Sequence, residues 1–204
     1  LDDGNIAGAK QAVAHIPGLM RRAEKEDEWF SPDYYMAGYH EALAEILDAS
    51  GKHQAAINSY RQAIQSETEA FGTSSRREVG KLYSCIGGIY LRQGNAVKAL
   101  EQYQTALKSV LPKFKPDNDS VNPHDSLFKA ENTILEALEG KAKVFLALGH
   151  LEKALECYEL IPLVEAKIRA THAYESSKLL ALSESRQRFD AALGVAWQLY
   201  EHNN

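Results

Sequence analysis

Three glycines, each followed by the same spacing of small and large side chains, constrain the fold of this 204-residue chain more than any other feature. They are Gly51, Gly94 and Gly149, and each ends a segment with helical periodicity. Glycine adopts the left-handed conformation that closes a helix without a steric clash at Cβ. We therefore expect a turn at each glycine, with one helix before it and a second helix after it.

Both helices of each predicted pair carry a repeated pattern. An alanine, a tyrosine and a further small or aliphatic residue follow the glycine by five, nine and twelve residues. Before the glycine, a small residue stands next to large ones. These spacings place the side chains on one helical face, where two helices can approach closely at the small residues. The positions are Leu43, Ala44, Leu47, Gly51, Ala56, Tyr60 and Ala63 in the first pair; Tyr83, Ile86, Gly87, Tyr90, Gly94, Ala99, Tyr103 and Ala106 in the second; and Phe145, Gly149, Ala154 and Tyr158 in the third.

The second pair, KLYSCIGGIYLRQGNAVKALEQYQTALKSVLP, resembles a tetratricopeptide repeat, and the first and third pairs are weaker versions of it. The resemblance implies an all-α fold, a right-handed solenoid of helical hairpins with about three repeats and flanking helices. Lys141 stands where the third pair should carry a large apolar residue. We therefore expect the first helix of that pair to be rotated or shifted in register.

We expect a single helical domain over residues 1–204 with two insertions. The three glycines are 43 and 55 residues apart, which exceeds a 34-residue period by 9 and 21 residues. We place the extra residues of the first interval in a longer helix and its loop. We place those of the second interval in an inserted loop at 111–132. That loop is either packed structure or a partner-binding element. The remaining segments are an N-terminal helix region at 1–30, repeats at 37–70, 80–113 and 135–164, and C-terminal capping helices at 165–204.

Charge and apolar patterning argue against two classes of partner. The chain has 23 Lys and Arg against 28 Asp and Glu, a net charge of -5, and no basic patch for a nucleic acid. Its apolar runs are far shorter than the roughly 20 residues of a membrane span. The seven histidines and two cysteines show no metal-ligand or nucleophile spacing, so we expect no cofactor, no metal and no catalytic residue. We favour the cytoplasm, although the sequence does not identify the compartment.

In an array of this type the first helix of each pair lines a concave groove, and the groove positions here are mostly charged. We predict a partner-binding groove that offers an acidic first repeat, a basic second repeat and a mixed third repeat. The alternative is a solvated charged face. Asparagines that would help to clamp a peptide carboxylate are absent from the groove positions. The predicted groove residues are Glu41, Glu45 and Asp48; Lys81, Ser84 and Arg92; and Glu136, Glu139 and Lys143.

Residues 111–201 are similar to the region that precedes the caspase-like CHAT peptidase domain in bacterial proteins that join tetratricopeptide repeats to that domain. The segments that carry this resemblance are LPKFKPDNDSVNPHDSLFKAENTILEALEGKAKVFLALG and IRATHAYESSKLLALSESRQRFDAALGVAWQLYE. It implies a non-catalytic protein-interaction or scaffold module, the recognition or regulatory arm of a longer protein whose CHAT domain is an attached partner.

The ends of the chain fit that expectation. The chain starts at Leu1 rather than at a methionine and stops at Asn204, so we expect the chemistry to lie outside it. Two alternatives remain open. One is a structural oligomerisation spacer, and the other is an enzyme with a site built from His and Cys.

Overall fold

The structure is a computed structural model that describes residues 3–27, 32–171 and 175–202. Within these ranges the chain forms eight α-helices, one 3₁₀ turn and no strand. The helices are α1 (Asp3–Glu26), α2 (Pro32–Ala49), α3 (His53–Phe71), α4 (Arg77–Arg92), α5 (Ala96–Val110), α6 (Asn132–Ala147), α7 (Leu151–Thr171) and α8 (Glu175–His202), and the 3₁₀ turn is Asp125–Leu127. No helix in the described ranges is both long and apolar enough to cross a membrane.

The helices pack as three pairs, α2 with α3, α4 with α5 and α6 with α7, with α1 on α2 and α8 on α7 at the two ends. The first helix of each pair closes at Gly51, Gly94 or Gly149, whose φ angles are 72°, 73° and 74°. In each turn the N–H after the glycine donates to the carbonyl oxygen five residues earlier at 2.9 Å. The expected turns are confirmed, and the fold is an all-α repeat solenoid.

The second and third pairs meet closely at Tyr103, a buried residue of α5. Gly87 of α4 and Gly140 of α6 face its ring. A Cβ on Gly140 would lie 2.2 Å from Tyr103 Cε1, and a Cβ on Gly87 would lie 3.1 Å from the same atom. Because side-chain atoms do not approach as closely as 2.2 Å, only glycine at position 140 lets α6 lie directly against the tyrosine.

The long insertion lies between α5 and α6, and it is packed against the core. Phe114 and Phe128 are each 6% exposed and belong to the main hydrophobic cluster. Gln104 of α5 is fully buried, and its Nε2 donates to the carbonyl oxygens of Asn118 and Val121 at 3.1 and 3.0 Å. The segment is therefore fastened at both ends by aromatic side chains and in its middle by buried hydrogen bonds.

Lys141 keeps the repeat register, and the predicted rotation of α6 is wrong. Its side chain is 0% exposed, and the large residues on the same face, Leu138 and Phe145, are buried with it. Its Nζ donates to Gln104 Oε1 at 2.6 Å and to the carbonyl oxygen of Val121 at 2.7 Å. The inserted loop thus supplies an acceptor inside the core, so the ammonium occupies an apolar position without displacing the helix.

Two prolines lie inside helices instead of ending them. α1 runs through Pro17, and α7 runs through Pro162 to Thr171. The third repeat predicted from the sequence ends at residue 164, which falls inside α7. Proline removes one backbone donor, but Ile161 and Val164 on either side of Pro162 are buried, and their packing holds the helix together.

The first insertion is partly helical. α3 contains 19 residues and α5 contains 15, so the second helix of the first pair is the longer one. It ends at Gly72, which has a φ of 67°. The rest of the insertion is the short connection to α4.

Candidate functional site

The nine predicted groove residues lie on α2, α4 and α6, the first helices of the three pairs. Eight of them are at least partly exposed to solvent. Ser84 is only 8% exposed, and its Oγ has no hydrogen-bond partner among the described residues. Ser84 faces the interior of the array and does not line the groove as predicted.

Opposite charges of the first and second repeats pair with one another. Lys81 Nζ donates to Glu41 Oε1 at 2.6 Å, and the Arg92 guanidinium donates to the carboxylate of Asp48. The hydrogen bond to Glu41 raises the pKa of Lys81. His53 Nδ1 lies 2.8 Å from Oδ1 of Asp48, the carboxylate oxygen that Arg92 does not bind. These contacts join α2 to α4 and α3, so the bases of the second repeat are already matched by the acids of the first.

A second set of ion pairs joins the third repeat to α8. Glu139 accepts hydrogen bonds from Lys143 Nζ at 2.6 Å and from Arg188 Nε at 2.9 Å. Burial opposes ionisation of Glu139, but these two donors hold its pKa below the usual value. Arg188 Nη1 also donates to Glu165 Oε1 at 3.1 Å. α8 therefore contacts the third repeat through charged as well as apolar side chains.

Sequence reasoning missed Arg188 and Glu165. The sequence of α8 does not follow the repeat pattern, so that pattern did not identify Arg188 as a residue that forms ion pairs. Glu165 did carry a signal, because it lies four residues after Ile161 and three before Ile168, within the apolar face of α7. A carboxylate that is 7% exposed at such a position requires a cationic partner.

Two groove carboxylates differ from the others. Glu45 and Glu136 form no ion pair within the part of the chain that the structure describes. Partial burial raises the pKa of Glu136, although the charge of Lys81 acts in the opposite direction. Glu136 lines a polar cavity of about 510 Å³ at the beginning of α4 and α6 and the end of α7.

The cysteines do not have the electrostatics of nucleophiles. Burial raises the pKa of Cys85 to about 11, although a hydrogen bond with Tyr60 acts against the increase. Burial also raises the pKa of Cys157 to about 11, and its Sγ lies 3.5 Å from Asn122 Oδ1 in the inserted loop. A catalytic thiol needs a lowered pKa. Among the described residues, no group of three or more His, Cys, Asp or Glu side chains is placed to hold a metal ion.

Comparison with known proteins gives one family match. Residues 40–71 match the tetratricopeptide repeat, and this range covers most of α2 and all of α3. The search of curated proteins found no match. Neither result supports the resemblance of residues 111–201 to the region before a CHAT domain. The chain is thus an all-α repeat solenoid that is similar to the tetratricopeptide repeat in residues 40–71.

Proposed function

We propose that this chain is a non-catalytic protein-interaction module that binds a basic segment of a partner protein in the groove of α2, α4 and α6. Tetratricopeptide repeats generally mediate protein–protein interaction, and the match at residues 40–71 supports the general role. The choice of a basic partner rests on the charge pairing in the groove.

The groove bases are engaged within the chain. Lys81 and Arg92 bind carboxylates of the first repeat, and Lys143 binds a carboxylate on its own helix. An acidic partner would have to compete with these contacts, whereas Glu45 and Glu136 have no such contact to lose. Pairing Glu136 with a cation also offsets the unfavourable partial burial of its carboxylate. The groove that the sequence predicts has an acidic first repeat, a basic second repeat and a mixed third repeat, and we propose that its acidic residues bind the partner.

Fluorescence anisotropy of a labelled peptide of alternating lysine and glycine tests this function. We expect the intact chain to bind it, and the double variant Glu45→Gln/Glu136→Gln to bind about tenfold more weakly. The matched control is Glu101→Gln/Glu152→Gln, which removes two exposed carboxylates from α5 and α7 and should leave the affinity unchanged. Equal binding of a glutamate and glycine peptide, or an equal loss in the control, would contradict the proposal.

We also propose that the module is the recognition or regulatory arm of a larger CHAT-type protein. Only the two C-terminal sequence segments support this narrower role. Genomic sequence beyond the codon for Asn204 tests it. A peptidase-like domain with its His and Cys is the expected result, and a stop codon would contradict it.

A further inference from the structure

The outer face of α8 is apolar, although this helix is already packed on the repeats by its other face. Val195 is 2% exposed, and Ala192 and Leu199 pack beside it on the main core. On the opposite side lie Phe189, Leu193, Trp197 and Tyr200, which are 59%, 53%, 62% and 61% exposed. At 3.6 residues per turn these four side chains fall within a sector of about 80°. We call them the α8 outer face.

The α8 outer face is large enough to be an interface. Three aromatic rings and one leucine, each more than half exposed, present roughly 400–600 Å² of apolar surface. Monomeric proteins rarely expose a contiguous apolar patch of more than a few hundred Å². Two such faces together, with their polar rims, approach the roughly 1,200 Å² at which specific interfaces begin.

The charges along α8 fit an antiparallel second copy. Arg186 and Glu201 lie at equal distances, about 11 Å along the axis, on either side of the bond between Leu193 and Gly194. Asp190 and Trp197 lie about 5 Å on either side of the same point. All four side chains belong to the outer face or to one flank of it. Arg186, Asp190 and Glu201 are exposed, and Arg186 contacts Asp190 only at 3.9 Å.

An antiparallel arrangement about that point therefore makes two kinds of polar contact, and the two-fold axis produces each of them twice. Arg186 meets Glu201 of the second copy, and Asp190 accepts a hydrogen bond from the indole N–H of the second copy's Trp197. A parallel arrangement would instead place Arg186 against Arg186 and Asp190 against Asp190. The self-complementary pattern distinguishes a second copy from an arbitrary apolar partner.

We propose that two copies of this chain associate through the α8 outer face, with the two α8 helices antiparallel and centred between Leu193 and Gly194. The interface uses none of the groove residues, so it is separate from the proposed binding of a basic partner. Loss of dimerisation should therefore leave binding of the basic partner intact, and loss of that binding should leave the dimer intact.

Sedimentation velocity of the full chain over a range of concentrations tests the association. We expect the mass to rise to twice that of the 22.7 kDa chain. Leu193→Asp should give a monomer, and at concentrations too low for association its melting temperature should equal that of the wild type, because the side chain is exposed. The matched control is Val97→Asp on α5, where the valine is 76% exposed, and this variant should still dimerise. A wild-type chain that stays monomeric would overturn the proposal and leave the face to a different protein, and a dimer that survives Leu193→Asp would also overturn it.

Charge reversal tests the antiparallel arrangement. Arg186→Glu and Glu201→Arg should each weaken the dimer on the order of fivefold, because each removes two exposed ion pairs. The double variant should restore most of the affinity, since it re-forms both pairs with reversed polarity. A dimer that each single variant weakens and the double variant does not rescue would contradict the antiparallel arrangement.

Discussion

Replacing Lys141 by methionine should change how the stability of the protein depends on pH. Burial lowers the pKa of Lys141 from 10.5 to about 8, while the nearby Cys157 and Asp119 act in the opposite direction. The unfolded chain therefore binds a proton at this lysine in a pH range in which the folded chain does not. In that range the folding stability of the wild type must increase with pH.

The magnitude follows from the two pKa values. Below about pH 8 the lysine is protonated in both states and contributes no pH dependence. Between about pH 8 and pH 10.5 the free energy of unfolding of the wild type increases with pH. At about 1.4 kcal/mol per pKa unit, the total increase approaches 3 kcal/mol. Lys141→Met lacks this gain. The variant also leaves Gln104 Oε1 without its donor, but that cost is an offset that does not depend on pH.

Urea unfolding followed by far-ultraviolet circular dichroism measures the difference in unfolding free energy between the wild type and Lys141→Met. Between about pH 7 and about pH 10, the difference should move by about 2.5 kcal/mol in favour of the wild type. Lys143→Met removes an exposed ammonium from the same helix and should show no comparable trend. A difference that stays constant over this range would refute the inference that burial lowers the pKa of Lys141.

Three further outcomes are expected. Gly140→Ala should destabilise the protein by about 3 kcal/mol, because its Cβ overlaps the Tyr103 ring. In thermal unfolding the double variant Gly140→Ala/Tyr103→Ala should lose less stability than the sum of the two single variants. Arg188→Ala should cost about 2 kcal/mol and expose α8 to limited proteolysis, since within the described ranges Glu139 keeps only Lys143 and Glu165 keeps only Arg169 as a cationic partner. Cys85 and Cys157 should react with iodoacetamide about 100-fold more slowly than an ordinary thiol in the native protein, and at ordinary rates after unfolding.

The sequence predicts features whose causes are local. The glycine turns and the longer second helix of the first pair depend on side chains a few residues apart, and periodicity and turn chemistry report such contacts directly. The same holds for the inserted loop, because its prolines and short polar side chains prevent a helix whatever surrounds them. Phe114 and Phe128 are large apolar side chains within this polar segment, and both are buried.

Periodicity failed where a distant segment changes the environment of a side chain. Lys141 violates the apolar pattern, and no local rule predicts that a carbonyl oxygen of Val121, 20 residues away, enters the core to meet it. The groove shows the same limit. The predicted groove residues are mostly charged, and the pairs formed by Lys81 and Arg92 join residues 40 and 44 positions apart. Whether these side chains meet depends on how neighbouring helix pairs stack. The pattern within a single repeat does not specify that stacking.

The inserted loop also affects how the array unfolds. Stacked repeats usually interact only with their nearest neighbours, so parts of an array can open separately. Here a single loop is bonded to Gln104 on α5, Lys141 on α6 and Cys157 on α7. Separation of any one of these three helices from the other two breaks a hydrogen bond between the loop and a buried polar group. The second and third repeats should therefore exchange their amide hydrogens as one cooperative unit, at a common free energy of opening, while α1 exchanges sooner.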